Sequence, residues 1–142
     1  MSLRASATCD AFKCAVAMYG FVFGRYMSLE GGDFTWELEY SGDLSWPLQE
    51  RHTHSDVFPL LHKIKTPTLL LHGKEDDICM VSNSIVAHRQ LRLQRTPTEL
   101  VVYPGEGHGF TQPQHRRDRD ERTLAWFLRY LPPTSQGKVL KL

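Results

Sequence analysis

The sequence predicts an α/β fold built on a short parallel sheet with crossover helices. Three observations lead there. Apolar runs at 12–19 (FKCAVAMY), 68–72 (TLLLH) and 99–103 (ELVVY) are short and apolar on both faces, the pattern of strands covered on both sides. Helical segments at 82–95 and 118–131 follow the second and third runs. The resulting order is strand, insertion, strand, helix, strand, helix, which implies parallel strands joined by crossovers.

Taken in order, residues 2–9 read as the tail of a helix, broken at Asp10. Segment 21–56 changes character. It holds Gly24, Gly31, Gly32, Gly42 and Pro47, with Phe21, Phe23, Tyr26, Phe34, Trp36, Tyr40 and Trp46 among charges, and follows neither strand nor helix period. It reads as an irregular insertion with short helices around 33–40 and 46–51, its aromatics covering a sheet face. Residues 55–63 form a short helix or turn, and Thr66-Pro67 leads into the second strand. Ser82 is placed as the N-cap of the helix at 82–95. Pro97 introduces the third strand, and 104–110 (PGEGHGF) is a glycine-rich loop. The last helix carries Leu124, Phe127, Leu128 and Leu131 on one stripe, read as its core face. Pro132-Pro133 stops it, and 132–142 reads as a loose tail.

Composition narrows the function classes. The chain has 142 residues, the size of one ordinary domain, and its 41% hydrophobic content supports a buried core. Seventeen basic against sixteen acidic residues give +1, which argues against a nucleic-acid surface. The run HRRDRDER is charged in both signs at helical spacing. It reads as a solvated face with Arg117–Glu121 and Asp118–Arg122 pairs. No apolar run reaches the length of a membrane span, and residues 1–10 lack the apolar stretch of a signal peptide. Cys9, Cys14 and Cys79 cannot all pair within the chain and have no zinc-site spacing, so a reducing, cytoplasmic location is expected. His52 and His54 form an HxH pair near Asp56, but nothing nearby completes a ligand set. An exposed polar loop, with no metal and no cofactor, is the expectation.

Working residues of open parallel sheets lie in loops beyond the carboxyl ends of the strands. Two loops have that position. One carries Glu75, Asp76 and Asp77; the other carries His108 between Gly107 and Gly109. An acid after one strand and a histidine after the next is the latter half of the chain order Ser…Asp…His, in which the carboxylate fixes the imidazole tautomer. From the residues alone, Asp76 reads equally as a cap or a solvated carboxylate, and His108 as an ordinary loop histidine. Glu75 and Asp77 read as solvated neighbours and His72 as a packed core histidine. Cys79, with carboxylates beside it, reads as inert.

The segments LLLHGKEDD, PTELVVYPGEGHGF and HRRDRDERTLAWFLRYL, with FKCAVAMYG and IKTPTLLLHG, closely resemble the C-terminal end of the prolyl oligopeptidase family of serine peptidases. The acylaminoacyl-peptidase and dipeptidyl-aminopeptidase branch fits best. The resemblance covers nearly the whole chain outside 21–50. It implies the last three parallel strands of an α/β-hydrolase fold, with Asp76 as the charge-relay acid, His108 as the base, and a peptide or acyl-peptide substrate for the parent enzyme.

The chain also departs from that pattern. No G-x-S-x-G elbow occurs in it, and Ser2, Ser6, Ser28, Ser41, Ser45, Ser55, Ser82, Ser84 and Ser135 all lack the flanking glycines. By resemblance, residues 2–9 end the helix that follows the elbow, so the nucleophile is expected before Met1. The family's propeller and oxyanion donors are likewise not among these residues. Ile78, Cys79 and Met80 stand where relatives favour a basic residue, Val and Pro. Arg95 stands where glycine is usual, so a left-handed cap there costs roughly 1–2 kcal/mol.

The leading expectation is thus part of a peptidase domain, inactive alone and self-associating through the bare strand at 12–19. The alternatives are a non-catalytic interaction module using the aromatic segment 21–46, and a small esterase with an unrecognised serine or Cys79 as nucleophile.

Overall fold

The computed structural model describes residues 1–24, 27–31, 35, 39 and 56–131. Three strands, β1 (Ala15–Met18), β2 (Thr68–Gly73) and β3 (Thr98–Tyr103), form one parallel sheet in the order β1-β2-β3. Helix α1 (Ser2–Thr8) precedes β1, and a single turn, α2 (Met27–Glu30), follows it. A 3-10 helix at Phe58–Lys63 leads into β2. Helix α3 (Ser82–Leu93) connects β2 to β3, and α4 (Pro113–Tyr130) follows β3. Among the described residues, no helix is long and apolar enough to cross a membrane.

The sheet is sandwiched. On one face, Leu70 and Ala17 meet Leu3 of α1, Leu61 and Ile64 near the 3-10 helix, and Ala87 and Leu91 of α3. On the other, Leu69 and Leu71 meet Tyr103, Phe110 and Trp126 of α4. Every residue of β2 is buried, which explains its unbroken TLLLHG sequence: a central strand with both faces covered has no position left for a solvated side chain. Asn83, fully buried, fastens the segment after β1 to α3. Its Oδ1 accepts the amides of Val22 and Phe23 (2.9 and 3.2 Å), and its Nδ2 donates to Glu30 (2.8 Å).

Several expectations are corrected. The first strand is shorter than 12–19, because Phe12 is 47% exposed at one end and Tyr19 turns out of the strand with φ 39° at the other. Ser82 is not the N-cap of α3. Val81 holds that position and no side chain caps the helix. Helix α4 starts at Pro113, five residues before 118. Proline suits the first helical turn, and Gln112, the N-cap, has its amide held by a loop carboxylate described below. Its stripe of Leu124, Phe127, Leu128 and Leu131 is 38–59% exposed, while Trp126 is buried against the sheet. Trp126 and Tyr130, four residues apart, set the rotation of the helix, and those leucines lie about 140–200° away from Trp126 at ~100° per residue. The surface pairs Arg117–Glu121 and Asp118–Arg122 form, each at 2.7 Å. Of the helix expected at 33–40 only residues 35 and 39 are described, both helical; the helix expected at 46–51, the His52/His54 pair and the tail at 132–142 lie outside the described residues.

Arg95 adopts φ 61° at the end of α3. Its amide bonds to the Arg92 carbonyl (3.0 Å) and the Thr96 amide to the Leu91 carbonyl (2.9 Å), the two bonds of a Schellman motif. An L side chain is strained there by roughly 1–2 kcal/mol, against roughly 0.5–1 kcal/mol of extra backbone entropy lost by glycine. Arg95→Gly is therefore expected to raise unfolding stability by roughly 0.5–1 kcal/mol, read from the urea midpoint.

Candidate functional site

The parallel pairing of β2 with β3 sets His72 beside Val102 and Gly73 beside Tyr103, so the loops beyond the two strands leave the sheet side by side. Three bonds tie them. The Lys74 amide donates to the Tyr103 carbonyl (2.9 Å), the Glu75 amide to the Glu106 carbonyl (3.0 Å), and the Gly105 amide to the Glu75 carboxylate. Glu75 is thus more than a solvated neighbour; it clips one loop to the other. Gly73 lies at the narrowest point. A Cβ there would stand 2.3 Å from the carbonyl oxygens of Glu106 and Gly107, closer than any side chain tolerates.

This arrangement brings Asp76 and His108 together. Asp76 is 2% exposed. Its Oδ1 accepts the amides of Ile78 (3.0 Å) and Cys79 (2.8 Å), and its Oδ2 lies 3.0 Å from His108 Nδ1. An Asp carboxylate that accepts its own loop's amides is fixed before any partner arrives. A carboxylate facing Nδ1 requires the proton on that nitrogen and leaves the Nε2 lone pair available. The imidazole of His108 packs edge-on against Tyr19 at 5.2 Å and keeps 32% of its side chain exposed. It lines an open pocket of about 410 Å³ together with Met1 and Arg4 of the α1 end, Tyr19, Phe21 and Cys79. Of the two glycines flanking His108, Gly109 takes a positive φ of 147°, and Gly107 does not.

Glu106, in the same loop, escaped the sequence reading. It is fully buried, and its carboxylate accepts the Thr111 amide and hydroxyl (2.8 and 2.9 Å), the Gln112 amide (2.9 Å) and His115 Nδ1 (2.9 Å). Gln112 is the N-cap of α4 and makes no side-chain cap bond; the Glu106 carboxylate instead ties down the two amides that lead into the helix, those of Thr111 and Gln112. Burial opposes its charge, but the four hydrogen bonds together prevail and bring the carboxyl down to about 2 from an ordinary 4.5. A lone acid inside a glycine-rich loop, followed by Thr-Gln-Pro with glutamine in the cap position, is the sequence signal that points to it.

His72 is buried as expected, with hydrogen bonds at both ring nitrogens. Cys79 is buried too. Burial first, then the charges of Asp76 and Glu30, push its thiol up to about 11, so it remains protonated at neutral pH and is a poor nucleophile. Among the described residues, no group of three potential ligands is placed to hold a metal ion.

Comparison with known proteins identifies the family and the fold. A model of the prolyl oligopeptidase family matches residues 1–134. Dipeptidyl-peptidase 5 of Porphyromonas endodontalis is 33% identical over 127 residues, covering 84% of this chain. Dipeptidyl peptidase family member 1 of Caenorhabditis elegans is 33% identical over 101 residues, covering 70% of the chain and 11% of the relative. In structure, acylaminoacyl peptidase of Pyrococcus horikoshii superposes with a TM-score of 0.81 at 20% identity over 94% of this chain. A puromycin-hydrolyzing peptidase of Mycobacterium tuberculosis gives 0.81 at 24% identity over 95%. The chain spans about a fifth of several of these relatives: 18% of the Porphyromonas protein, 22% of the Pyrococcus chain and 21% of the Mycobacterium chain.

The depressed Glu106 carboxyl has a pH signature. A group held below its unfolded value stabilises the fold above that value and loses the contribution on acidification. The Glu106 contribution is expected to be complete above pH about 4.5 and to disappear as pH falls toward about 2. Glu106→Gln places an amide nitrogen against backbone donors. Urea unfolding should show the variant less stable at neutral pH, with the gap to the parent chain closing across that acidic window.

Proposed function

We propose a function from the premise that this chain belongs to the prolyl oligopeptidase family: Asp76 and His108 are the acid and base of a serine peptidase site that cleaves peptide or acyl-peptide bonds. The observation that carries this reading is the 3.0 Å contact between His108 Nδ1 and a buried Asp76, with the imidazole on the wall of an open pocket. In this reading, Nε2 of His108 takes the proton of an attacking alcohol and later delivers it to the leaving amine. Asp76 holds the tautomer and stabilises the imidazolium. Relatives named for releasing dipeptides or acylated amino acids support a substrate of that class.

The alcohol is assigned to a residue outside these 142, at the N-terminal end of α1. Met1 and Arg4 share the pocket with His108, so a group carried into α1 arrives beside the base. The protonated Cys79 weighs against the esterase alternative. The reading keeps the reducing, cytoplasmic setting expected of three cysteines that cannot all pair within the chain, and no nucleic acid or membrane enters it.

The test is hydrolysis of acylaminoacyl and dipeptidyl nitroanilides by the 142-residue chain and by a chain extended upstream through an in-frame G-x-S-x-G segment. Turnover is expected only from the extended chain. His108→Ala should then lower kcat on the order of 10⁶-fold, and Asp76→Asn on the order of 10⁴-fold. Turnover by the 142-residue chain that His108→Ala abolishes would overturn the external nucleophile. Undiminished activity of the extended His108→Ala chain would overturn the base.

The same reading gives the chain a pairing edge. Among the described strands, β1 is bonded only to β2, and its residues Ala15 and Val16 line an open pocket together with Ala5, Ser6, Phe12 and Phe127. Self-association through this edge is expected, appearing in sedimentation velocity as a mass that rises with concentration. A monomer at every concentration refutes it.

A further inference from the structure

Two imidazoles, not one, face the Asp76 carboxylate. His108 Nδ1 stands 3.0 Å from Oδ2, and His72 Nε2 stands 3.1 Å from the same oxygen, with the side chains of His72 and Asp76 both sealed from solvent. His72 Nε2 also lies 2.6 Å from the Cys79 carbonyl, and its Nδ1 lies 2.7 Å from Ser84 Oγ. Both neighbours of Nε2 are acceptors, so Nε2 carries the proton. Nδ1 is then the acceptor, and the Ser84 hydroxyl donates to it. Hydrogen bonding thus runs in one direction, from Ser84 on α3, through His72 on β2, to the turn that presents Asp76.

That turn is closed from both sides. The Cys79 amide donates to Asp76 Oδ1 at 2.8 Å, while the Cys79 carbonyl accepts from His72. One N–H group therefore holds the turn and stands against the carboxylate oxygen that His108 uses. The three preceding positions of β2 are buried leucines, so packing alone would be met by an aliphatic side chain. Burial lowers the pKa of His72 against the raising pull of the Cys79 carbonyl and Asp76, so the neutral, single-proton form is favoured.

We propose that His72 is a positioning residue: its Nε2–H, oriented by Ser84, holds the Asp76 carboxylate in the attitude that keeps the His108 proton on Nδ1. This rests on the reading of Asp76 as the group that orients His108.

The test is ring-nitrogen NMR of the 142-residue chain labelled with ¹⁵N-histidine, recorded where the imidazoles are neutral. His72 is expected as the Nε2–H tautomer with a proton slow to exchange; an Nδ1–H tautomer overturns the proposal. In His72→Leu, the ratio of Nδ1–H to Nε2–H at His108 should fall by roughly tenfold, the scale of one lost charge-assisted hydrogen bond. In His72→Gln, whose amide N–H reaches the Nε2 position, the ratio should be retained. A His108 ratio unchanged in His72→Leu, or lost equally in the leucine and glutamine variants, overturns it. Should neither variant fold, Ser84→Ala is expected to lower the ratio roughly two- to threefold, and no change there overturns it. Asp76→Asn separates the two layers of the argument. If Asp76→Asn shifts the His108 tautomer and His72→Leu does not, only the role of His72 falls. If Asp76→Asn leaves the tautomer unchanged, the underlying reading of Asp76 falls.

Discussion

A buried carboxylate is tolerated only when its lone pairs are met, and Asp76 meets that demand from two backbone amides and two imidazole nitrogens. The rest of the site follows from this requirement. The amides come from its own turn, so the turn must close as it does. One imidazole comes from β2, the most deeply buried strand, and the other from the loop after β3. The carboxylate therefore joins strand, turn and loop, and the sheet serves to bring those three contributors to one point.

The neighbouring loop obeys the same rule with a different acid. Glu106 is as deeply buried as Asp76, and its partners belong to the start of α4. One carboxylate faces the loop of His108 from the β2 side, and the other fixes that loop to the helix behind it. Negative charge at a helix N-terminus is also favoured by the helix dipole. The loop is thus held at both ends by acids that have different surroundings: Asp76 beside an open pocket, Glu106 enclosed by donors.

What the sequence disclosed, and what it did not, divides along the range of the forces involved. Strand β2 was legible because burial on both faces leaves an unbroken apolar run. That Asp76 and His108 fall in neighbouring loops was legible because parallel strands end side by side, but the choice of Asp76 over Glu75 and Asp77 came from the family resemblance and not from the strand pattern. The extent of α4 was not, since its N-cap is Gln112, which makes no side-chain cap bond, and the amides leading into it are held by Glu106 from within the preceding loop. Nor was its buried face: Leu124, Leu128 and Leu131 make a convincing stripe, yet one indole, at Trp126, sets the helix rotation. Ser82 failed as a cap because Val81 takes that place. Similarly, His72 looked like core filling, and its hydrogen bonds to Ser84 and Cys79 depend on a turn whose path only the folded chain defines.

Gly73 has a consequence for how such a molecule can change over generations. With two carbonyl oxygens 2.3 Å from where its side chain would begin, the gap between the paired loops is ruled by main chain against main chain. Any side chain at this position would force the two main chains apart. The closeness of the paired loops is thereby concentrated in one missing methyl group, while the neighbouring His72 and Glu75 side chains only refine what that gap permits.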